Sequence, residues 1–277
     1  MASGMPTNVA TGARYQGGNA FWFSVVQHSE SYSSPVWGTY LQWVSVGAQV
    51  RKGEKATYGV KFTPITPKSI KEAIANGETV ANPDKKIMLV TTFTVFNADQ
   101  VDGWEAPEVT PLPAHERIAQ AEAFFAGIGA KVSEDGDSAY YSPSQDIICI
   151  PSLEQFVSPE GYYATLAHEE IHWSGHKSRL DRNLSGCFGS ESYAAEELVA
   201  EIGSAMVAGI LGIESTPRLD HAQYVAGWLK VLRGDPKLLF RAASEAQKAT
   251  NYLLERSAMA GVLSAATAAL GGDVDSQ

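Results

Sequence analysis

Two histidines and a glutamate in the second half of the chain have the spacing of a metal site. In His168-Glu169-Glu170-Ile171-His172 the histidines are four residues apart, so on a helix both imidazoles lie on one face and reach one metal ion. Zinc suits two imidazoles and a carboxylate, with a fourth position open to water whose pKa it lowers to about 7. Glu169 then takes a proton from that water. The segment has the pattern HExxH, in which the glutamate is the general base.

The third ligand is not the next histidine along the chain. His168 and His176 would lie about 12 Å apart along one helix, too far for ligand bonds near ~2 Å. The longer pattern HExxHxxGxxH is matched at Gly175 but not at Ser178, where its last histidine would fall. A carboxylate further along the chain is therefore the better third ligand.

The stretch from Tyr193 to Glu201 is predicted to be a mostly apolar helix that carries three carboxylates. Carboxylates on such a helix are costly unless they meet a cation. Glu197 and Glu201 share a face, whereas Glu196 is expected to point elsewhere. Glu197 is the predicted third ligand, and Glu201 is the predicted acceptor that orients a ligand histidine. An exchange of these two roles and solvated surface glutamates are the alternatives. The candidates for stabilising an oxyanion are Tyr193, His221 and Tyr224.

The first half of the chain interleaves aromatic with basic residues. Single-stranded nucleic acid binding requires both kinds, flat rings that stack on bases and a basic groove for phosphates. The alternative is that the rings form the core of a small domain. The candidate DNA contacts are Arg14, Tyr15, Trp22, Trp37, Tyr40, Trp43, Arg51, Lys52, Lys55 and Lys61.

Composition limits the class of protein. The chain has 277 residues, of which 44% are hydrophobic and 19% charged, which excludes a mostly disordered chain. The net charge is −10, yet residues 1–114 hold 9 basic and 9 acidic residues, against 12 and 22 in residues 115–277. This asymmetry favours two domains. With two cysteines, no apolar run of about 18 residues and no signal-peptide pattern, we expect neither a disulfide scaffold nor a membrane span, and a cytoplasmic location.

The elements that position these residues follow from apolar periodicity and turn residues. A helix is predicted from Val36 to Val46, because Pro35 opens it and Gly47 ends it, and a strand from Lys86 to Phe96. The polar stretch from Asn97 to Pro113 is predicted to be a linker, with a domain boundary near residue 114. Further helices are predicted at about 160–175, 192–212, 221–232 and 236–258.

Seven segments, spread along most of residues 8–255, carry motifs of one known protein family in the same order. In the first half they run from Thr11 to Asn19, from Trp37 to Trp43 and from Gly47 to Lys55. In the second half they run from Ala164 to His176, from Tyr193 to Glu201, from Tyr224 to Leu229 and from Ala246 to Ala249. In these segments the chain resembles the ArdC-type antirestriction proteins of conjugative plasmids, to which TraC-type primases are related.

The resemblance implies an α+β fold with two domains. Residues 1–114 would form a small α+β domain that binds single-stranded DNA, with Asn19 among its contacts. Residues 115–277 would form a mainly helical, zincin-like metallopeptidase domain with a small antiparallel sheet and one Zn²⁺, or Mn²⁺ or another divalent metal in its place.

The implied role is protection of incoming plasmid DNA from host restriction. One hypothesis for how it does so is an active protease that attacks restriction or host proteins near the entering strand. One rival is a non-enzymatic protein that coats single-stranded DNA and uses its metal structurally. The other rival is an adaptor in which both domains bind proteins.

Overall fold

A four-stranded sheet forms the centre of the first half of the chain. The structure, a computed structural model, describes residues 5–76, 79, 82, 84–106, 113–185, 190–213 and 237–257. In spatial order the strands are β1 (Thr7–Asn8), β2 (Val36–Gly38), β5 (Ile87–Asn97) and β4 (Thr57–Ile65). β1 and β2 are parallel, and the other pairs are antiparallel. Helix α1 (Gly17–Ser29) crosses the sheet, and its Phe23 packs against Trp37 and Val95.

Strands β4 and β5 form a long hairpin that is tied to α1 through Asn19. Their register runs from Thr57 opposite Val95 to Ile65 opposite Ile87. The Phe93 ring lies over Gly59, where a Cβ atom would come within 2.3 Å of it, so a larger residue would displace that ring. Along the free edge of β4, the Asn19 amide donates to the carbonyl of Val60 at 2.8 Å and accepts from its N–H at 2.9 Å. This pairing satisfies backbone groups that an edge strand otherwise leaves open.

The predicted helix from Val36 to Val46 is only partly correct. Its first three residues form strand β2, and helix α2 (Tyr40–Ser45) begins after Thr39. Thr39 and Gln42 form a capping box: the Thr39 hydroxyl accepts from the Gln42 backbone N–H, and the side-chain oxygen Oε1 of Gln42 accepts from the Thr39 backbone N–H. This local pairing sets the helix start. α2 then packs its Trp43 against β3 (Gln49–Val50) and β6 (Val101–Asp102).

The second half is mainly helical, as predicted. Its helices are α4 (Ala114–Ile128), α5 (Pro159–Ser174), α6 (Glu191–Leu211) and α7 (Lys237–Arg256), with the short α3 (Lys68–Ala75) lying earlier in the chain. A three-stranded sheet has the order β7 (Val132–Ser133), β9 (Ile147–Cys149), β8 (Tyr140–Ser142). The sheet is mixed rather than purely antiparallel, because β7 joins β9 in parallel. The helix predicted at 221–232 lies outside the described residues.

One hydrophobic core joins the two halves. Ala20 of α1 is buried in the same cluster as α4, α5, α6 and α7. The backbone N–H of Gly17 donates to the side-chain oxygen of Gln247 at 2.9 Å, and Gly18 lies against the ring of Phe240. The architecture is thus α+β, and the boundary near residue 114 stays a prediction. Among the described helices, none has the length and apolarity needed to cross a membrane.

Candidate metal centre

Helix α5 holds the two histidines in the middle of the protein. Ser158 caps its first turn by accepting from the N–H of Gly161 at 3.2 Å, and Pro159 occupies the first helical position. The helix is buried on almost all sides, so His168, Glu169 and Glu170 are withdrawn from solvent. Burial raises the pKa of Glu170 well above its ordinary value, which keeps that carboxyl neutral.

The structure brings His168, His172 and Glu197 together around one point. The Nε2 atoms of the two histidines lie 3.2 Å apart. The Glu197 carboxylate oxygens lie 3.6 Å from the Nε2 of His168 and 3.5 Å from the Nε2 of His172. Ligand bonds near 2 Å in a tetrahedral site place neighbouring donor atoms about 3.3 Å apart. The three donors therefore have the spacing and chemistry that fit a divalent ion such as zinc.

Each imidazole also has a carboxylate behind it. The Nδ1 of His168 lies 3.3 Å from Oε1 of Glu201, and the Nδ1 of His172 lies 3.2 Å from Oε1 of Glu196. A carboxylate at Nδ1 holds the proton there and leaves Nε2 free to bind a metal. Glu201 thus lies where an orienting acceptor was predicted, on the outer side of His168.

Glu196 corrects the expectation that its side chain points elsewhere. Helix α6 turns a face wide enough to include positions 196, 197 and 201 toward α5. Spacing along one helix groups Glu197 with Glu201, but it does not tell how far round that helix the neighbouring helix makes contact. Glu196 is therefore a site residue that the spacing argument missed.

Arg182 fixes Glu196 from the far side. Its Nη2 and Nε donate to the two Glu196 oxygens at 2.8 and 3.1 Å, and the guanidinium is nearly buried. The same side chain donates to the hydroxyl of Ser174 at 2.9 Å and to the carbonyl of Ile171 at 2.6 Å, both in the last turn of α5. A cation is favourable at the C-terminal end of a helix, so an arginine soon after the HExxH motif is the sequence signal that could have indicated Arg182.

The histidines and glutamates of the site shift one another's pKa values toward their charged forms. Burial alone would raise the pKa of the Glu197 carboxyl, but His168 and His172 outweigh it and the pKa is lowered. Burial would likewise raise the pKa of Glu196, which His172 and Arg182 lower instead. The pKa of His172, which burial would lower, is raised by Glu196 and Glu197 to about 10. The ionised carboxylates of Glu196 and Glu197 therefore make the site favourable for a cation.

Other predicted site residues have less definite places. Glu169 is buried next to His168 on α5. Tyr193 lies in the first turn of α6, one turn before Glu197, and is half-buried. His221 and Tyr224 lie outside the described residues, so their roles stay predictions.

Two of the tryptophans predicted to contact DNA belong to the core. Trp37 and Trp43 are both 0% exposed, Trp37 beneath Phe23 and Trp43 beside Trp104. A ring with no exposed area cannot stack on a base, so this corrects the prediction for both. Both rings fit the alternative hypothesis, in which aromatic residues of the first half form the core of a domain.

Tyr15 and Asn19 also have structural partners. The Tyr15 ring packs edge-on against Phe23 at 4.8 Å, and its hydroxyl accepts from Asn8. Asn19 uses both ends of its amide on the backbone of Val60. These partners leave the two predicted DNA contacts without geometric support.

The other candidate contacts reach the surface to different degrees. Arg14 is half-buried, and burial lowers its pKa. Arg51 is partly exposed but pairs with Glu54 at 2.9 Å and donates to the carbonyl of Asp99. The exposed candidates are Trp22, Tyr40, Lys52, Lys55 and Lys61.

Two family descriptions match the two halves of the chain. Residues 1–96 match the N-terminal domain of anti-restriction factor ArdC, and residues 119–245 match a zincin-like metallopeptidase. The uncharacterized protein y4eC of Sinorhizobium fredii is 42% identical over 248 residues, which are 90% of this chain and 80% of that protein. A DNA primase TraC of Escherichia coli is 40% identical over 264 residues, but the chain spans only 24% of its length.

Solved structures agree with these matches. The chain is 40% identical to the antirestriction ArdC protein from the R388 plasmid, whose metal-free crystal structure it matches with a TM-score of 0.74. The match covers 92% of this chain and 89% of that one. The Mn(II)-bound crystal structure of the same protein matches with a TM-score of 0.72. The chain is a member of the ArdC antirestriction family.

Proposed function

We propose that the protein binds single-stranded DNA through residues 1–114 and holds one divalent ion in residues 115–277, and that it protects plasmid DNA entering the cytoplasm from host restriction. The convergence of His168, His172 and Glu197 carries the metal proposal. Zinc is the proposed ion because two imidazoles and a carboxylate suit it. Manganese, which the R388 protein binds in one crystal structure, is the alternative.

The proposed chemistry is hydrolysis of a peptide bond in a protein substrate. A zinc ion at this position lowers the pKa of water to about 7. Glu169 is the proposed general base, because it is buried beside His168 on the same helix. Glu196 is the proposed acceptor for the Nδ1 proton of His172, and the Glu201 carboxylate, 3.3 Å from Nδ1 of His168, is the proposed orienting group for that ring.

Metal content tests the ligand set. We expect about one metal ion per purified wild-type chain. His172→Ala and Glu197→Ala are expected to lose it, whereas Glu201→Ala, which removes only the acceptor behind His168, keeps it with lower affinity. Mass spectrometry of the metal in each purified variant measures this. Full retention in Glu197→Ala with loss in Glu201→Ala would show that these two glutamates exchange roles.

A structural role for the metal is the second candidate. The three donors come from two helices, His168 and His172 from α5 and Glu197 from α6, so a bound ion ties these helices together. Glu169→Gln separates the candidates because Glu169 is not a ligand. The variant should keep metal and DNA binding. Its antirestriction activity in conjugation is lost if hydrolysis protects the DNA, and survives if the protein acts as a coat.

DNA binding is tested on the full-length protein with a labelled single-stranded oligonucleotide. Each phosphate contact made by a lysine releases counterions, so the affinity should fall steeply with salt. Replacing the exposed Lys52 and Lys55 by alanine should weaken binding and flatten that salt dependence. Affinity that does not respond to salt would instead favour the adaptor hypothesis.

A further inference from the structure

Four exposed apolar side chains share one face of the β4–β5 hairpin. They are Tyr58, Phe62, Met88 and Val90, exposed by 65, 57, 55 and 55% respectively, and we call them the hairpin face. Phe62 lies directly opposite Val90 in the register, and Met88 lies one pair further along, opposite Pro64. Exposed apolar side chains that are contiguous, unlike scattered ones, mark an interaction site.

This face is the one that α1 leaves uncovered. Successive side chains of a strand point to opposite faces, so Tyr58 and Phe62 lie on the face opposite from Gly59. Gly59 is covered by the ring of Phe93, which contacts Phe23 of α1 edge-on at 6.4 Å. The helix therefore covers the Gly59 face, and the hairpin face is turned away from it.

The hairpin and its flanks are basic in an otherwise acidic protein. Residues 51–97 hold eight basic and four acidic residues, whereas the whole chain has a net charge of −10. Lys61 is exposed and forms no ion pair with another described residue; it alternates with Phe62, so it lies on the other side of the edge strand β4. Lys86 precedes β5 and donates a hydrogen bond to the hydroxyl of Thr66. The local field thus favours a polyanion and disfavours a second copy of the same basic surface.

We propose that the hairpin face is where single-stranded DNA bases stack, on Tyr58 and Phe62, while Lys86 at the start of β5 and Lys61 at the free edge of β4 contact the phosphates. This rests on the proposed DNA binding of the first half. The two rings are four residues apart on β4, about 13 Å, so they receive different bases of one DNA strand. Every base has a π-face, so the proposal predicts tight binding with little sequence preference.

The test compares wild type with Tyr58→Ala and Phe62→Ala in the full-length, metal-loaded protein. Fluorescence anisotropy with a labelled oligothymidine should show affinity falling by about 5- to 140-fold for each ring, which is the range of one stacked base. Both side chains are exposed, so the variants should fold normally. Phe62→Trp keeps a ring and should restore binding. The matched control is Tyr140→Ala, which removes an exposed ring from a strand in the second half.

A second oligonucleotide of the same length, with abasic sites in place of the bases, isolates the stacking. Wild type should bind it more weakly than oligothymidine, and the alanine variants should bind it as well as wild type does. An equal loss on both oligonucleotides would overturn base stacking.

The remaining outcomes separate this inference from the proposed function. Wild-type affinity in both alanine variants would overturn the hairpin face as the DNA site but leave single-stranded DNA binding intact. No binding by wild type itself would overturn DNA binding and the inference with it. A dimeric wild type that becomes monomeric in Phe62→Ala, measured by sedimentation velocity, would show that the face joins two copies instead.

Discussion

At the residue scale, the orientation of His172 depends on two side chains that lie outside the HExxH pattern. Glu196 contacts its Nδ1, and Arg182 holds Glu196 through a two-pronged pair. A buried glutamate paired only with a histidine could rotate, whereas the planar guanidinium fixes both of its oxygens. Arg182 is therefore a positioning residue that acts through Glu196 on His172, a proposed metal ligand.

Glu196→Gln should lower metal affinity by about 10- to 100-fold, the usual effect of losing such an acceptor. Arg182→Lys should lower it less, because lysine keeps the charge but not the fork. Competition with a fluorescent chelator measures both affinities. Glu122→Gln, which removes an exposed carboxylate from α4, is the control and should match wild type. Wild-type affinity in Glu196→Gln would mean that the His172 ring is held by its packing alone.

A second arginine, Arg179, supports the region behind α5. It donates to the carbonyl of Trp173 at 2.6 Å and to Oδ2 of Asp146 at 3.0 Å, and it lies 3.9 Å above the Trp173 ring. Hydrogen bonds from Arg179 lower the pKa of Asp146 to about 2, against the opposing effect of burial. Asp146 also accepts from the hydroxyl of Tyr141 at 2.7 Å.

Asp146→Asn should reduce the free energy of unfolding at pH 7 by about 1 kcal/mol, a figure discounted because the carboxylate is partly exposed. Asparagine tolerates the positive φ of 53° at this position, so the change isolates the charge. A lowered carboxyl pKa contributes stability above the unfolded value of about 4 and loses it as the pH falls toward about 2. Urea unfolding at pH 7, 4 and 2.5 should show the difference between wild type and variant shrinking with acid. A difference independent of pH would exclude the ion pair as its cause.

The convergence of His168 and His172 was predictable from sequence because both lie on one helix, where spacing determines geometry. The role of Glu196 was not, because it depends on the crossing of α5 with α6. An arginine soon after the motif could have indicated Arg182 as a helix-end cation, but its contact with Glu196 depends on how the chain after α5 folds back over the helix end. Trp37 and Trp43 show the same limit in the first half: composition counts rings, but only packing separates core rings from surface rings.

At the element scale, the site depends on the close approach of α5 and α6. Gly203 makes this approach possible, because a Cβ atom there would lie 2.7 Å from the Cδ1 atom of Ile171. The predicted bounds of these two helices agree with the structure to within about two residues, since caps and glycines are local signals. Their separation could not be predicted, because it depends on which small residue faces which large one. One local signal gave a wrong helix start. Pro35 indicated a start at Val36, whereas α2 begins four residues later, at Tyr40, after the capping box of Thr39.

Gly203→Ala should destabilise the protein by about 1 kcal/mol although alanine favours a helix by a similar amount, because overpacking against Ile171 costs more. The shift of α6 away from α5 should also weaken metal binding. Gly209→Ala, on the same helix, is the matched control: its nearest contact is the flexible Met5 side chain at 3.4 Å. That variant should be neutral or more stable. Thermal unfolding and metal titration of both variants measure this, and equal behaviour of the two would show that α5 and α6 are not tightly packed at Gly203.

At the scale of the whole molecule, the two halves differ in charge and in family match but share a core. The compositional shift near residue 114 predicts two units, and that boundary stays a prediction. It could not show that α1 packs on α7, since the hydrogen bond from Gly17 to Gln247 joins residues 230 positions apart. Such contacts come from the final arrangement of elements rather than from any local pattern. The shared core provides a direct physical connection between the proposed DNA-binding half and the metal centre.

That connection predicts that metal binding stabilises both halves together. Metal added at about 100 times its dissociation constant raises the free energy of unfolding by about 2.7 kcal/mol for every element that unfolds together with the site. Hydrogen exchange in wild type should therefore slow in α1 and β4 as well as in α5 and α6.

Ala20→Asp puts a charge into the buried α1–α7 contact and should confine the slowing to the second half. Val25→Asp, on the exposed side of α1, is the control and should behave as wild type. Slowing confined to α5 and α6 in wild type would mean that the halves open independently, because a core that transmits stability cannot leave one of its helices unprotected.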